Sequence, residues 1–364
     1  MRFFTNKLVV MNSSQSWPNI LGKLLAKSDL SRAEASWAMG QIMSGDSSEA
    51  QIGAFMMALR SKGESVEELA GLVDVMLQHS VILDTGSDAV DIVGTGGDMV
   101  GTVNISTMAS IVAAAAGVPV MKHGSRSASG KTGSSEMLEV LGIRLDLSPE
   151  RVAEIFAEIG LTFFFAPVFH PAMRHVAPIR KALGVPTTFN FLGPLANPAQ
   201  PKATSLGVAN RSIAPLMAAE MAARGRNALV FRGSDGLDEL TTTGNSEIWL
   251  VQGGEVREFT LNPVDLGLDT ADLAQLVGAD AHHNADVAKK LLAGERSGNF
   301  AAIRDVVALN AAGGVVAYSL GANQIETQAD LNAAFATALQ KTYAAIDSGD
   351  AAQKLSDWMA ASQA

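Results

Sequence analysis

Cysteine is absent from all 364 residues. That excludes disulfides, a thiol nucleophile and thiolate metal sites, and it suits a reducing compartment. Positive charge is short as well: 27 Lys and Arg against 37 Asp and Glu leave a net charge of −10. A nucleic-acid surface needs a basic face to displace phosphate counterions, so that class of partner is not expected. A small anionic substrate stays open, because a local basic pocket can coexist with an acidic exterior. No run approaches the roughly 20 apolar residues of a membrane span. The longest candidate, residues 105–120, is broken by Ser106, Thr107, Ser110, Gly117 and Pro119. The N-terminal Met1–Lys7 is too short in its apolar part for a signal peptide, and no small-residue cleavage site follows. The first ten residues read as an upstream extension or a misplaced start, and the cytoplasm is the expected compartment.

What is present is apolar bulk, 48% of the chain, enough for one large domain or two of ordinary size. Ser31 with Glu34, Ser48 with Gln51 and Ser65 with Glu68 each form a capping-box pair, so the first 80 or so residues predict helices joined by short turns. After the third pair, Leu69, Leu72, Val73 and Met76 fall on one helical face. From Ala89 the pattern changes. Short β-type runs at 90–93, 118–121 and 228–231 each lead into a glycine-bearing loop, and helices are expected from about Ser106, over 135–141, 306–320 and 330–346. Strands alternating with helices predict an α/β fold: a small helical domain, and a larger α/β domain with a mostly parallel central sheet flanked by helices. The boundary falls near residue 85, giving 1–85 and 86–364. Ligands of such sheets bind outside the carboxyl ends of the strands, where the three loops would gather.

The first loop is Gly94-Thr95-Gly96-Gly97-Asp98. Glycines let backbone N–H groups approach phosphate oxygens, although the bare pattern is equally a tight strand-to-helix turn. Its spacing matches neither a Walker loop nor a dinucleotide fingerprint. Asn104-Ile105-Ser106-Thr107 then opens an apolar helix, placing an amide, hydroxyls and N–H groups at a positive terminus suited to an anion. The second loop, residues 122–134, carries Lys122, Arg126, Lys131 and several serines on a glycine-broken frame. It suits a cover over phosphates; a solvated polar loop is the plain alternative. The third holds Asp238-Glu239, hard oxygen ligands of the kind magnesium takes alongside substrate phosphates, or simply a solvated acidic pair. Residues 163–175, continuing to Arg180, combine a Phe run with His170, His175 and Arg174. They could line a pocket for a flat aromatic anion, or form a buried helix start with solvated basic residues. His282-His283 reads as surface.

Together these motifs resemble the anthranilate phosphoribosyltransferases of tryptophan biosynthesis. Gly-Thr-Gly-Gly-Asp, Asn-Ile-Ser-Thr, Lys-His-Gly-x-Arg-Ser, Phe-Ala-Pro…His-Pro-Ala-Met, the Phe-Asn-Phe-Leu-Gly-Pro-Leu-Ala-Asn-Pro run at 189–198 and Gly-Leu-Asp-Glu recur in order from about residue 17 onward. The resemblance implies a homodimer with the nucleoside phosphorylase-like fold, the helical domain being completed by helices from about 165–195. It implies transfer of phosphoribose from phosphoribosyl diphosphate to the amine of anthranilate, with Mg2+ and release of pyrophosphate. Gly94, Gly97, Asp98, Thr102, Asn104, Ser106, Thr107, Lys122, Ser129, Gly130 and Ser134 would hold the donor. Ser106 would reach one magnesium, with Asp238 and Glu239 on the second. Gly94, His123, Ser125, Ala166, Pro167, His170, Arg180 and Gly193 would receive anthranilate. Two positions depart from the pattern: Ser125 stands where asparagine is usual, and Gly130 where serine is common. Ser125 has the shorter reach and a single donor, which keeps open a different aromatic amine as acceptor. A non-catalytic binding protein on the same fold is opposed by the intact diphosphate loops, the Asp-Glu pair and the negative charge.

Overall fold

The computed structural model describes residues 15–83, 85, 86, 88–126 and 132–364. Four helices come first: α1 (Trp17–Leu25), α2 (Arg32–Met43), α3 (Glu49–Lys62) and α4 (Val66–Gln78). Helices α2, α3 and α4 each start on the capping box read from the sequence, with both reciprocal bonds formed. Trp17 meets Trp37 and Phe55 edge-on, which locks α1 onto α2 and α3. Glu68 is fully buried, and its carboxylate accepts from Leu30 N, Ser65 N and Lys62 Nζ at 2.8–2.9 Å. A buried charge needs that degree of satisfaction to be tolerated.

The remainder is built on β1 (Val90–Gly94), β2 (Val120–Gly124), β3 (Leu161–Phe165), β4 (Ala203–Gly207), β5 (Asn227–Gly233), β6 (Ser246–Gln252) and β7 (Glu255–Leu261). They form one sheet in the order β3-β2-β1-β4-β5-β6-β7. The first five are parallel, and β6 and β7 extend the β5 edge as an antiparallel meander. The mostly parallel sheet is as expected, with four strands beyond the three read from the sequence. Its connecting and covering helices are α5 (Ile105–Ala115), α6 (Ser134–Val140), α7 (Pro149–Ile159), the one-turn α8 (Ala166–Phe169), α9 (Ala177–Leu183), α10 (Ala214–Ala223), α11 (Ala281–Leu292), α12 (Phe300–Ser319), α13 (Gln328–Asp347) and α14 (Asp350–Gln363).

Helices α5 and α12 pack on one sheet face, so the long Ala-rich helix predicted from Ser106 is a core element. The longest apolar helix is α12 rather than the 105–120 stretch. By length and composition it could cross a membrane, yet it is mostly buried in this fold. On the other face, a second core joins α1–α4 to Val176, Ile179 and Phe189 and continues into Met217 of α10 and Val230 of β5.

Candidate active site

Two glycines at strand ends decide where the acidic pair goes. A Cβ on Gly94 would run into the Asp238 carboxylate, and one on Gly207 would run into the Asp238 backbone. Their bare backbones let the loop after β5 fold across the carboxyl ends of β1 and β4. Asp238 Oδ2 then accepts from Gly96 N at 2.6 Å, and Glu239 Oε1 accepts from Ser106 N at 3.1 Å. One N–H at the start of α5 is thus already taken by Glu239. The Asn104 side chain caps no α5 N–H; its Nδ2 donates to the Thr132 carbonyl, and its Oδ1 accepts from Asn284. The loop after β1 is strongly turned: Gly96, Gly97, Met99 and Gly101 all have positive φ, Met99 at 63°. That is costly for a non-glycine residue and recurs at functional loops.

The pleat of β2 sends successive side chains to opposite faces. Lys122 goes under β1 towards α5, where Nζ donates to the Ile92 carbonyl at 2.5 Å and to Ser106 Oγ at 3.4 Å. Burial holds Lys122 below its ordinary value, against the pull of Asp91 and then Glu239. His123 goes the other way. Its Nδ1 lies 3.0 Å from the Gly193 carbonyl, which places the proton on Nδ1 and leaves Nε2 a buried lone pair without a partner among the described residues. The His170 ring is 5.1 Å from it, centroid to centroid, and bonds the Ala196 carbonyl through Nε2. Burial holds His123 down to about 3 and His170 to about 4, so both rings are neutral near pH 7.

Between these groups lies a cleft of about 780 Å³. Gly94, Gly97, Asp98, Thr102, Asn104, Ser106, Thr107, Lys122, Ser134, Asp238 and Glu239 line it. So do His123, Ser125, Ala166, Pro167, His170, Arg180 and Gly193. Ser129 and Gly130 lie outside the described residues. The cleft also takes Met173 and Ala177, from the segment read as a possible pocket lining, Phe189 and Asn190, from the quoted 189–198 run, and Met76 of α4 and Asn284, which the sequence reading did not single out as site residues. Asn190 sits inside the 189–198 run and had a signal there; Met76 had only its place on a helical face, and Asn284 had none. His282 and His283 are exposed, as expected.

The electrostatics divide the cleft. Burial, then the neighbouring Asp98, pushes Asp238 up to about 7. Burial, then Asp238, raises Glu239 well above its usual range, and burial raises Asp98. Crowded carboxylates in a dry place call for a cation. Among the described residues no group of three acidic or histidine side chains forms a complete metal site. Asp98, Asp238 and Glu239 are hard oxygen donors of the kind magnesium takes together with phosphates and water. The Arg180 guanidinium, also in the cleft, has no ion-pair partner among the described residues, and burial lowers its pKa. A charge desolvated without a partner is poised for an anion, here next to apolar walls from Met76, Pro167 and Phe189.

The chain matches the glycosyl transferase family a/b domain over residues 86–352 and the helical bundle domain of the same family over 18–80. It is 52% identical to the anthranilate phosphoribosyltransferase of Leifsonia xyli, over 97% of this chain and all of that protein. Among solved structures, the Thermus thermophilus anthranilate phosphoribosyltransferase superposes with a TM-score of 0.85 at 38% identity, covering 95% of this chain and 99% of that one. The Saccharomyces cerevisiae enzyme, solved with phosphoribosyl diphosphate and magnesium, gives 0.84 at 29% identity, covering 95% and 98%. A glycine loop against paired carboxylates, in one cleft with the buried Arg180, therefore stands on a chain that belongs to the anthranilate phosphoribosyltransferase family.

Proposed function

We propose that this chain transfers the phosphoribosyl group of phosphoribosyl diphosphate to the amine of anthranilate. The C1–O bond to the diphosphate breaks, a C1–N bond forms, the amine loses a proton and pyrophosphate leaves. The observation that carries this reading is the presence, within one cleft, of a carboxylate-lined glycine loop and of Arg180, buried without an ion-pair partner among the described residues.

Asp238, Glu239 and the Ser106 hydroxyl would hold magnesium, which when bound neutralises charge on the departing diphosphate. The turned backbone after β1 and the start of α5 supply N–H groups to the phosphate oxygens. Lys122 lies beneath, its Nζ anchored on the Ile92 carbonyl and close to Ser106 Oγ. Arg180 takes the anthranilate carboxylate, and the apolar wall receives the ring. His123 Nε2 is a neutral acceptor on the acceptor side, suited to one of the amine hydrogens. An aryl amine is already a neutral nucleophile, so orientation opposite the leaving group supplies much of the remaining acceleration. The division at residue 85, with helices from 165–195 completing the helical domain, is part of the same reading, as is a homodimer. The exposed Leu25 on α1 and Met57 on α3 offer apolar side chains to a second copy.

The test is loss of anthranilate fluorescence on mixing with phosphoribosyl diphosphate and magnesium. A magnesium-dependent decay is expected. Donor binding without decay would move the reading to another aryl amine, in line with Ser125 exposed at the cleft where the family has an asparagine.

A further inference from the structure

Strands β1 and β4, and strands β2 and β3, pair through all five residues, whereas β1 and β2 pair only at Val90 and Val120. Val90 N donates to the Pro119 carbonyl, the ordinary start of a parallel ladder. The next rung would join Ile92 to Lys122, using Ile92 N–H with the Met121 carbonyl and His123 N–H with the Ile92 carbonyl. Three of those groups are instead met by side chains. Asp91 Oδ1 accepts from His123 N at 3.1 Å, Asn197 Nδ2 donates to the Met121 carbonyl at 2.9 Å, and Lys122 Nζ donates to the Ile92 carbonyl at 2.5 Å. Asn197 Nδ2 also donates to Asp91 Oδ2 at 2.9 Å, and Asn197 Oδ1 accepts from Ala199 N at 3.0 Å. Asp91 is fully buried and Asn197 is 5% exposed.

Asn197 ends a short segment that does more than wedge the strands. The Gly193 carbonyl sets His123, and the Ala196 carbonyl sets His170. Both imidazoles that face the cleft are therefore oriented by the 193–197 segment, and that segment is tied into the sheet by the Asn197 amide. An amide is required there because it must donate to a carbonyl and a carboxylate while accepting from a backbone N–H, a set no carboxylate reproduces.

We infer that Asp91 and Asn197 are positioning residues: together they hold β1 and β2 apart at the floor of the cleft and fix His123 and His170 for the acceptor. Neither touches the reacting atoms. The inference rests on the function proposed above, and it goes beyond it by tying acceptor affinity to a pair in the sheet.

The experiment compares Asn197→Asp with the double variant Asp91→Asn plus Asn197→Asp, measuring KM for each substrate. The single variant sets two carboxylates against each other. It should raise the anthranilate KM about tenfold or more while the donor KM moves less than about threefold. The double variant restores donor against acceptor between residues 91 and 197, though not the bond to the Met121 carbonyl, so part of the acceptor KM should return. A purely structural role predicts lower yield and thermal stability with both KM values unchanged, and that result overturns the inference. So does a double variant no better than the single. If Asn197→Asp does not fold, hydrogen exchange at the His123 amide in the unaltered protein decides. Slow exchange despite the missing rung supports the Asp91 bond, and exchange as fast as an open loop refutes it. That readout needs no turnover, so failure of the proposed function and failure of this inference are distinguishable.

Discussion

Arg180 shows how a single residue can carry specificity by lacking a partner. Its guanidinium is desolvated with no carboxylate of its own among the described residues, a state that a bound carboxylate relieves through a charge-assisted bond of about 1.5–3 kcal/mol. Arg180→Ala should therefore raise the anthranilate KM on the order of 10- to 100-fold and leave the donor KM nearly unchanged; an equal rise in both would place Arg180 elsewhere. His170 makes a different prediction, about pH. Burial holds its ring down to about 4, below the ordinary 6.5. As pH falls through 6.5 the unfolded chain takes up a proton that the folded ring refuses, so this group's contribution weakens the fold from about pH 6.5 down to about 4. The slope is at most about 1.4 kcal/mol per pH unit. In His170→Gln that slope is gone, and the drop in unfolding temperature from pH 7 to pH 5 should be smaller than in the unaltered protein. Parallel curves for the two proteins would contradict the assignment. Arg180 and His170 were both legible as candidates in the sequence. Their neutral or unpaired states were not, because burial and partners belong to the fold.

At the scale of elements, the site depends on how closely a loop can lie on two strand ends. Gly94→Ala puts a methyl group where the Asp238 carboxylate lies, so Asp238 must move from Gly96 N. Displacement of a positioned group by about 1 Å typically lowers turnover on the order of 100-fold. Turnover near that of the unaltered protein, in magnesium-saturated assays, would show that the close approach is not needed. The helical caps were readable residue by residue, since a capping box is a local pattern with a local bond. The strands were less so. β3 is the Phe run, read as pocket lining; it is a buried strand that hands its chain directly to α8 and His170. The meander β6–β7 had a local signal, the Ile248–Val251 run and Gly253-Gly254, that the sequence reading passed over, and its place beside β5 is set by the sheet.

For the whole molecule, the donor and magnesium should act together. Magnesium typically takes one or two protein carboxylates and fills its shell with substrate phosphates and water, so the diphosphate should supply much of its coordination here. Phosphoribosyl diphosphate with magnesium, at about a hundred times its dissociation constant, should stabilise the fold by about 2.7 kcal/mol and raise the unfolding temperature by a few degrees. Magnesium alone should shift it far less, and an equal shift from magnesium alone would mean a self-sufficient metal site. The same experiment run with anthranilate reports on the other end of the cleft.

By itself the sequence determined the local chemistry: which segments cap as helices, which loops are glycine-rich enough to approach phosphate, and which carboxylates, histidines and arginines stand beside them. It also determined the family, because the motifs recur in a specific order. Only the tertiary structure decided that the alternation of β2 sends Lys122 and His123 to opposite faces. The same holds for Glu239 taking an N–H of α5, for Met76 crossing from the helical region into the cleft, and for Asp91 and Asn197 standing where a ladder rung would be. The physical reason is sequence separation. Caps and turns are bonds between near neighbours, whereas Asp91 and Asn197 are 106 residues apart and Ser106 and Glu239 are 133 apart. Such pairs acquire their partners, their burial and their charge states only when the sheet brings them together.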